Sequence, residues 1–424
     1  MVEEEVFAGT ASDYLAVDPI VFRDSIKLRT QQYDTTKLNN HDFTGLKGGP
    51  HFVGSFEHKE HVYFFFRENA VEHENESNRV VSRVARVCKN DKGGSTKSFR
   101  FSWTSFLKTT LNCSVPGNSS FYFNEIQSVS KLVHLRYGVN QDIDYIFYAT
   151  FTTAGDGIEG SAVCAFSLKD ITNSFNGKFK ERGDQNSSWQ SVSENRIPSP
   201  RPGSCMNDSK TLSDSYLSFM KKHSIMDESV CSFLGAPIAF KTGISTPRFI
   251  SIAVDPQILT TAGKAYDLIF IGTTDGRILK VTNVKSPYSK GGIQSIVIEE
   301  LQLFSSNTTI KQLEITNDRN PRRRLAVMTD HEIRSIPVNR CDRATSCEEC
   351  VTFQDPYCAW DVKTSRCRSR IWTSNMEEIF VQSISEGDYS FCPSKLLQKG
   401  NSHYNNIYKP RKNNLIYFAF LVIL

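Results

Sequence analysis

A chain of 424 residues with 39% hydrophobic and 23% charged residues has the composition of a globular protein with room for one large domain and smaller ones. Its net charge of +4 is spread thinly, and the longest basic run, Arg322-Arg323-Arg324, reads as a solvated loop after Asn320-Pro321. A nucleic-acid footprint needs a broad basic face, so that class is excluded. The chain opens on Met1-Val2-Glu3-Glu4-Glu5, which has neither the basic nor the apolar region of a secretion signal.

From residue 1 to about 337 the pattern is short apolar strands between polar turns. The clearest are His61-Val62-Tyr63-Phe64-Phe65-Phe66-Arg67, Asp144-Tyr145-Ile146-Phe147-Tyr148-Ala149-Thr150 and Leu325-Ala326-Val327-Met328-Thr329. A hairpin is predicted from Leu268 to Val281, with Thr274-Asp275-Gly276 as its turn between β-branched runs. Strands at this spacing without alternating helices indicate an all-β sandwich, barrel or propeller, and the recurring strand–turn–strand units over this length favour a propeller. Residues 170–240 break the pattern. They hold the Pro-rich Ile197-Pro198-Ser199-Pro200-Arg201-Pro202-Gly203 and a helix predicted from Asp214 to His223 with Asp214 as its N-cap, read as an insertion extruded from one blade.

Eleven cysteines are present, and five of them fall between Cys341 and Cys367, with Cys392 following. So short a segment cannot bury enough apolar surface to fold unaided, so cross-links must stabilise it, and disulfides persist outside the reducing cytosol. Sequons at Asn75, Asn112, Asn118, Asn186, Asn207 and Asn307 agree with an extracellular, glycosylated protein. Cysteines and sequons without a secretion signal imply that the true N-terminus is missing. After Pro393 the chain is polar and basic, then ends in ten apolar residues, 415–424. That is about half of the roughly 20 needed to span a membrane. Two readings stand: a transmembrane segment cut short, or a lipid-anchor signal with small residues Gly400-Asn401-Ser402 and a polar spacer.

No catalytic constellation emerges. Glu68, Glu72, Glu74 and Glu76 read as polar loops between strands, as do Asp142 and Asp144 flanking a strand, and neither a Gly-x-Ser-x-Gly elbow nor a His-Glu-x-x-His helix occurs. Cys347-Glu348-Glu349-Cys350 has zinc-knuckle spacing without a following His pair, so structural disulfides are expected there. The histidines, His51, His58 and His61 among them, form no ligand set. The expectation is a non-enzymatic binding protein with no cofactor and no metal.

The residues also carry a family resemblance. Asp355-Pro356-Tyr357-Cys358-Ala359-Trp360-Asp361 within the cysteine cluster resembles the plexin–semaphorin–integrin module in its semaphorin form. Phe7-Ala8-Gly9-Thr10-Ala11-Ser12-Asp13-Tyr14, Leu28 to Asp34, Val84 to Gly94 with its Cys88-Lys89-Asn90-Asp91-Lys92-Gly93-Gly94, Trp103 to Lys108, Pro198 to Cys205 and Ile271 to Val281 resemble the semaphorin domain, in the order that family has them. The resemblance implies a seven-bladed β-propeller with an extrusion, its first blades missing here because the Phe7–Tyr14 motif lies well inside the family's domain. It divides the chain into a semaphorin domain over 1–339 with an extrusion at about 170–240, a cysteine-rich module over 340–393, and a basic linker with a short hydrophobic end over 394–424.

It also implies the bonds Cys88–Cys205, Cys113–Cys164, Cys341–Cys358, Cys347–Cys392 and Cys350–Cys367. Each is worth about 2–4 kcal/mol through restriction of the unfolded chain. Cys231 remains, as an intermolecular bridge or as a partly buried free thiol. Function follows by the same route: a guidance ligand, in the extracellular space or on the plasma membrane, that binds a plexin receptor as a homodimer formed through the propeller, clusters two receptor chains and acts in axon guidance and cell migration. Arg29, Gln31, Gln32 and Tyr33 are the candidate receptor contacts. The alternative is a fragment of a plexin-type receptor ectodomain, which would carry further cysteine-rich and immunoglobulin-like modules after residue 392.

Overall fold

The structure is a computed structural model that describes residues 5–11, 19–25, 36–38, 46, 49–73, 79–95, 99–100, 102–135, 144–155, 157–183, 188–243, 246–285, 293–317, 323–369 and 379–393. The chain forms two compact units, residues 1–157 with 162–237, and 158–161 with 238–424.

In the first unit, β1 (Glu5–Ala11), β2 (Pro19–Ser25) and β3 (Thr36–Leu38) form one antiparallel sheet. A second follows as a meander of β4 (His51–His58), β5 (His61–Asn69), β6 (Val80–Cys88) and β7 (Leu107–Asn112). Val62 to Phe66 are buried without alternation, because β5 is an inner strand covered on both faces. One face meets Val21, Trp103 and Phe106, and the Trp103 indole N–H donates to the Val21 carbonyl at 2.9 Å. The other face enters a ring cluster: Phe65 and Phe147 lie 4.7 Å apart, Phe147 and Phe166 5.5 Å apart. Those partners come from a third sheet, in which β10 (Glu125–Val129) and β11 (Val133–Leu135) pair with β12 (Asp144–Thr152), and β12 with β13 (Gly160–Ser167). A two-stranded ribbon, β8 (Ser114–Val115) with β9 (Phe121–Tyr122), precedes it.

The segment marked as a break holds two helices, α1 (Leu168–Asn176) and α2 (Asp214–Lys222), and a ribbon of β14 (Lys180–Arg182) and β15 (Trp189–Ser191). The N-cap of α2 is Ser213, not Asp214. Ser213 has extended backbone and its hydroxyl accepts from the Tyr216 N–H at 3.3 Å, which leaves Asp214 in the first turn facing the positive end of the helix dipole. β16 (Val230–Cys231) then returns to pair in parallel with β7.

In the second unit, β17 (Ala239–Thr242) precedes a four-stranded meander of β18 (Phe249–Leu259), β19 (Ala265–Thr273), β20 (Arg277–Lys285) and β21 (Ile293–Gln302). The predicted hairpin is β19–β20, with Gly272 opposite Ile278. Its turn ends at Gly276, whose φ of +75° and neighbouring carbonyls at 2.8 Å from a would-be Cβ admit only glycine. A three-stranded sheet follows: β22 (Gln312–Asn317), β23 (Arg323–Met328) and β24 (Ile333–Pro337). Arg323 and Arg324 therefore lie in β23 and not in a solvated loop. The Arg323 guanidinium pairs with Asp255, and Arg324 Nε donates to Ser335 Oγ at 2.8 Å.

The cysteine-rich segment folds as a 3-10 turn (Cys341–Arg343), helix α3 (Cys347–Thr352) and a small sheet of β25 (Cys358–Asp361) between β26 (Arg366–Ser369) and β27 (Phe380–Val381). It does not stand on its cross-links alone. Tyr357, Trp360 and Val351 share one continuous core with Leu268, Phe270, Leu325 and Val327 of β19 and β23.

Candidate functional site

Two buried charged assemblies and the Cys88–Cys205 clasp are the features of the described residues that bear most on a site. At the centre of the β5–β7 sheet, Arg83 Nε donates to Glu68 Oε1 at 2.9 Å and Arg83 NH2 to Glu72 Oε2 at 2.6 Å. Lys108 Nζ reaches Glu68 Oε1 at 2.6 Å, and Arg83 NH1 reaches Thr110 Oγ1 at 2.6 Å. Register brings them together, since Arg83 lies opposite Thr110 across β6–β7 and Glu68 opposite Val81 across β5–β6. Burial raises the Glu72 carboxyl, but the Arg83 guanidinium and its hydrogen bond outweigh it and hold the group at about 2. Burial pushes the Lys108 ammonium down, with the Glu68 carboxylate opposing it. Glu68, in β5, thus belongs to an internal network and not to a polar loop, while Glu72 does sit in the 3-10 turn Val71–His73 between β5 and β6 but turns its carboxylate inward to Arg83. Removing one member of such a network costs about 3–5 kcal/mol, because it leaves a buried charge uncompensated.

The turn after β6 explains why Cys88-Lys89-Asn90-Asp91-Lys92-Gly93-Gly94 reads as one motif. The buried Asp91 carboxylate accepts from Gly93 N–H at 3.0 Å, from Thr104 N–H at 2.8 Å and Oγ1 at 3.0 Å, and from Ser105 N–H at 2.8 Å and Oγ at 2.6 Å. Ser105 Oγ in turn accepts from the Cys88 N–H at 3.0 Å. The Pro-rich segment is tied to the same place. Gly203 N–H donates to Tyr216 Oη at 2.9 Å, Tyr216 Oη to the Thr104 carbonyl at 3.3 Å, and Ser209 Oγ to the Gly93 carbonyl at 2.8 Å. Burial pushes the Tyr216 phenol up to about 12. Cys88 and Cys205 close the arrangement with an S–S bond of 2.05 Å.

The remaining bonds are Cys113–Cys164, Cys341–Cys358, Cys347–Cys392 and Cys350–Cys367, which engages both cysteines of the zinc-knuckle-like spacing in separate disulfides. Cys231 is free and exposed, not partly buried, with the Asn112 amide nitrogen 4.0 Å from its sulfur. Of the sequon asparagines, Asn118, Asn207 and Asn307 are exposed and Asn112 is half-buried at the end of β7, while Asn75 and Asn186 lie outside the described residues. Arg29, Gln31, Gln32 and Tyr33 also lie outside them, as do residues 394–424. Among the described residues no helix is long and apolar enough to cross a membrane.

In the second unit the cysteine-rich segment is fixed to the β18–β21 sheet by a buried ammonium. Lys280 Nζ donates to Asp355 Oδ2 at 2.5 Å and to the Val338 carbonyl at 2.8 Å, and lies 5.4 Å from the Tyr357 ring centroid and 5.8 Å from that of Phe270. The Tyr357 hydroxyl donates to Asp255, which also pairs with Arg323, and burial pushes the phenol far above its usual range. The sequence signal for both charged assemblies was a lysine or arginine inside an apolar strand, Lys108 in Phe106-Leu107-Lys108-Thr109 and Lys280 in Ile278-Leu279-Lys280-Val281.

Residues 126–317 match the Sema domain and residues 340–387 the plexin repeat. The chain is 45% identical over 406 residues to Semaphorin-1A of Drosophila melanogaster, covering 93% of this chain and 44% of that protein. It spans about half the length of the curated relatives it matches. Among solved structures, the first two extracellular domains of Drosophila Semaphorin 1a match with a TM-score of 0.82 and 45% identity, covering 93% of this chain and 75% of that one. The complex of Drosophila Plexin A with Semaphorin 1b matches with a TM-score of 0.80 and 36% identity, covering 92% of this chain and 74% of that one.

Proposed function

This chain belongs to the semaphorin family, and from that premise we propose that it is an extracellular or cell-surface guidance ligand that binds a plexin receptor. The observation that carries the reading is the likeness, over 92% of the chain, to a solved complex between a plexin and a semaphorin. The family domain is a β-propeller, a scaffold whose loops and blade edges recognise partners. The buried carboxylates here are consumed by internal partners: Glu68 and Glu72 by Arg83 and Lys108, Asp355 by Lys280. That supports a binding platform over an enzyme.

The working scheme assigns residues 1–339 to the propeller domain, 340–393 to the cysteine-rich module and 394–424 to a basic linker with a short hydrophobic end. Two ligand propellers pair and bring two plexin chains together, so that valency transmits the signal in axon guidance and cell migration. Arg29, Gln31, Gln32 and Tyr33 form part of the receptor contact. The test is titration of a plexin ectodomain against the chain and its Tyr33→Ala and Arg29→Ala variants, with receptor signalling compared between a forced dimer and a monomer. Saturable binding weakened by those variants, with signalling by the dimer alone, is expected. Absence of binding to any plexin overturns the proposal, and equal signalling by the monomer overturns the clustering mechanism.

A further inference from the structure

The Cys88–Cys205 bond lies beside an imidazole. His61 Nε2 is 3.3 Å from Cys205 Sγ, and His61 Nε2, Cys88 Sγ and Cys205 Sγ all fall within 4.8 Å of one another. No other group of three or more His, Cys, Asp or Glu ligand atoms converges in this way among the described residues. The disulfide itself closes the site as long as it is intact. We propose that reduction of Cys88–Cys205 by a dithiol turns this clasp into a Zn2+ site, with His61 Nε2 and the Cys88 and Cys205 thiolates as ligands and solvent in the fourth position.

Access and framework both favour this. Cys205 is half-buried while Cys88, Cys113 and Cys164 are buried, so an incoming thiolate reaches Cys205 Sγ first in this unit. It forms a mixed disulfide there and displaces Cys88 as a thiolate. The second thiol of the reductant then closes its own disulfide and releases Cys205. Two electrons pass from the dithiol to the Cys88–Cys205 bond, and the dithiol's two protons go to the freed sulfurs or, once Zn2+ is bound, to solvent.

The two segments do not depend on the covalent bond to stay together. Gly203 is held by Tyr216, and Ser209 by both the Lys92 N–H and the Gly93 carbonyl. Zn–S bonds of about 2.3 Å and Zn–N bonds of about 2.0 Å require the sulfurs to part by roughly 1.5 Å, within reach of side-chain rotation.

The experiment treats the intact chain with graded dithiothreitol, maps freed thiols by differential alkylation and mass spectrometry, and measures Zn2+ uptake against a chromophoric chelator, with Co2+ as a spectroscopic substitute. The expected result is that Cys88 and Cys205 alkylate before Cys113 and Cys164, and that one Zn2+ binds per reduced clasp and protects both thiols. Co2+ should show a thiolate charge-transfer band. His61→Ala should weaken uptake by about tenfold or more. A folded Cys88→Ser/Cys205→Ser double variant, which mimics the open clasp without thiolates, should take up no Zn2+ at this site. The proposal is overturned if the reduced pair binds no Zn2+, if His61→Ala binds as tightly, or if Cys88–Cys205 opens only after Cys113–Cys164.

Discussion

The Glu72→Gln substitution separates charge from shape in the buried network of the β5–β7 sheet. Glutamine keeps the volume of glutamate and can still accept from Arg83, so what is lost is the ionised carboxylate. In the folded chain that group is held at about 2, against an ordinary 4.5. A difference of that size corresponds to about 3 kcal/mol of linked stability, and with only 7% of the side chain exposed little of it is screened. The sign follows from the direction. A depressed carboxyl contributes stability that is fully present above its unfolded value and is lost as pH falls through its folded one. The gap between wild type and variant should therefore be about 2–3 kcal/mol at pH 7 and close as pH falls from about 4.5 towards 2. Denaturant unfolding followed by Trp103 fluorescence reads it, since Trp103 packs against the Phe64 and Phe66 face of the same sheet. Equal midpoints at pH 7, or a gap unchanged from pH 6 to pH 2.5, would refute the reasoning.

Three further outcomes test neighbouring parts. Arg83→Met orphans Glu72 and removes one partner of Glu68, so it should cost about 3–5 kcal/mol in the same unfolding assay, more than Glu72→Gln. Gly203→Ala puts a methyl 2.3 Å from Leu107 Cδ1 at a φ of +84°, and thermal unfolding should show a loss of about 1–3 kcal/mol. Enzymatic deglycosylation in heavy-oxygen water should tag the exposed Asn118, Asn207 and Asn307; Asn112, half-buried with its amide against Cys231, should stay unmodified, and a glycan there would contradict the side-chain placement.

What could be read without coordinates was what depends on near neighbours in the chain. The β19–β20 hairpin follows from Asp275-Gly276 between two apolar runs, because the turn needs a residue free to take positive φ and the alternation sets the register. The α2 helix was legible, but its cap was displaced by one residue: Ser213 and Asp214 are both good capping residues, and only backbone geometry decides between them. The charged core was not legible. Glu68, Arg83 and Lys108 are 15 to 40 positions apart and come from three strands, so sequence proximity pointed to Glu68 and Glu72 as a loop pair, and a lysine inside the apolar run at 106–109 did not say which carboxylate it meets. Arg323 was misread for the same reason, since its partner Asp255 lies 68 positions away.

The same device recurs where the cysteine-rich segment meets the β18–β21 sheet, and there it bears on how that segment is oriented. Disulfides hold the segment together internally but do not fix its pose, since all three join cysteines within it. The shared core of Val351, Tyr357 and Trp360 with Phe270 and Leu325 supplies attraction, which is non-directional. Lys280 supplies direction: its ammonium is satisfied only when Asp355 and the Val338 carbonyl meet it together, so a slipped pose buries a charge without partners. A buried pair of this kind contributes little net stability against an apolar replacement of similar size. Lys280→Met combined with Asp355→Leu should accordingly leave the unfolding midpoint nearly unchanged while speeding hydrogen exchange in β20 and β25. Lys280→Met alone should destabilise by about 3–5 kcal/mol, because Asp355 is left buried. If the double variant exchanges as slowly as the wild type, the apolar core sets the pose by itself and the ion pair has no orienting role.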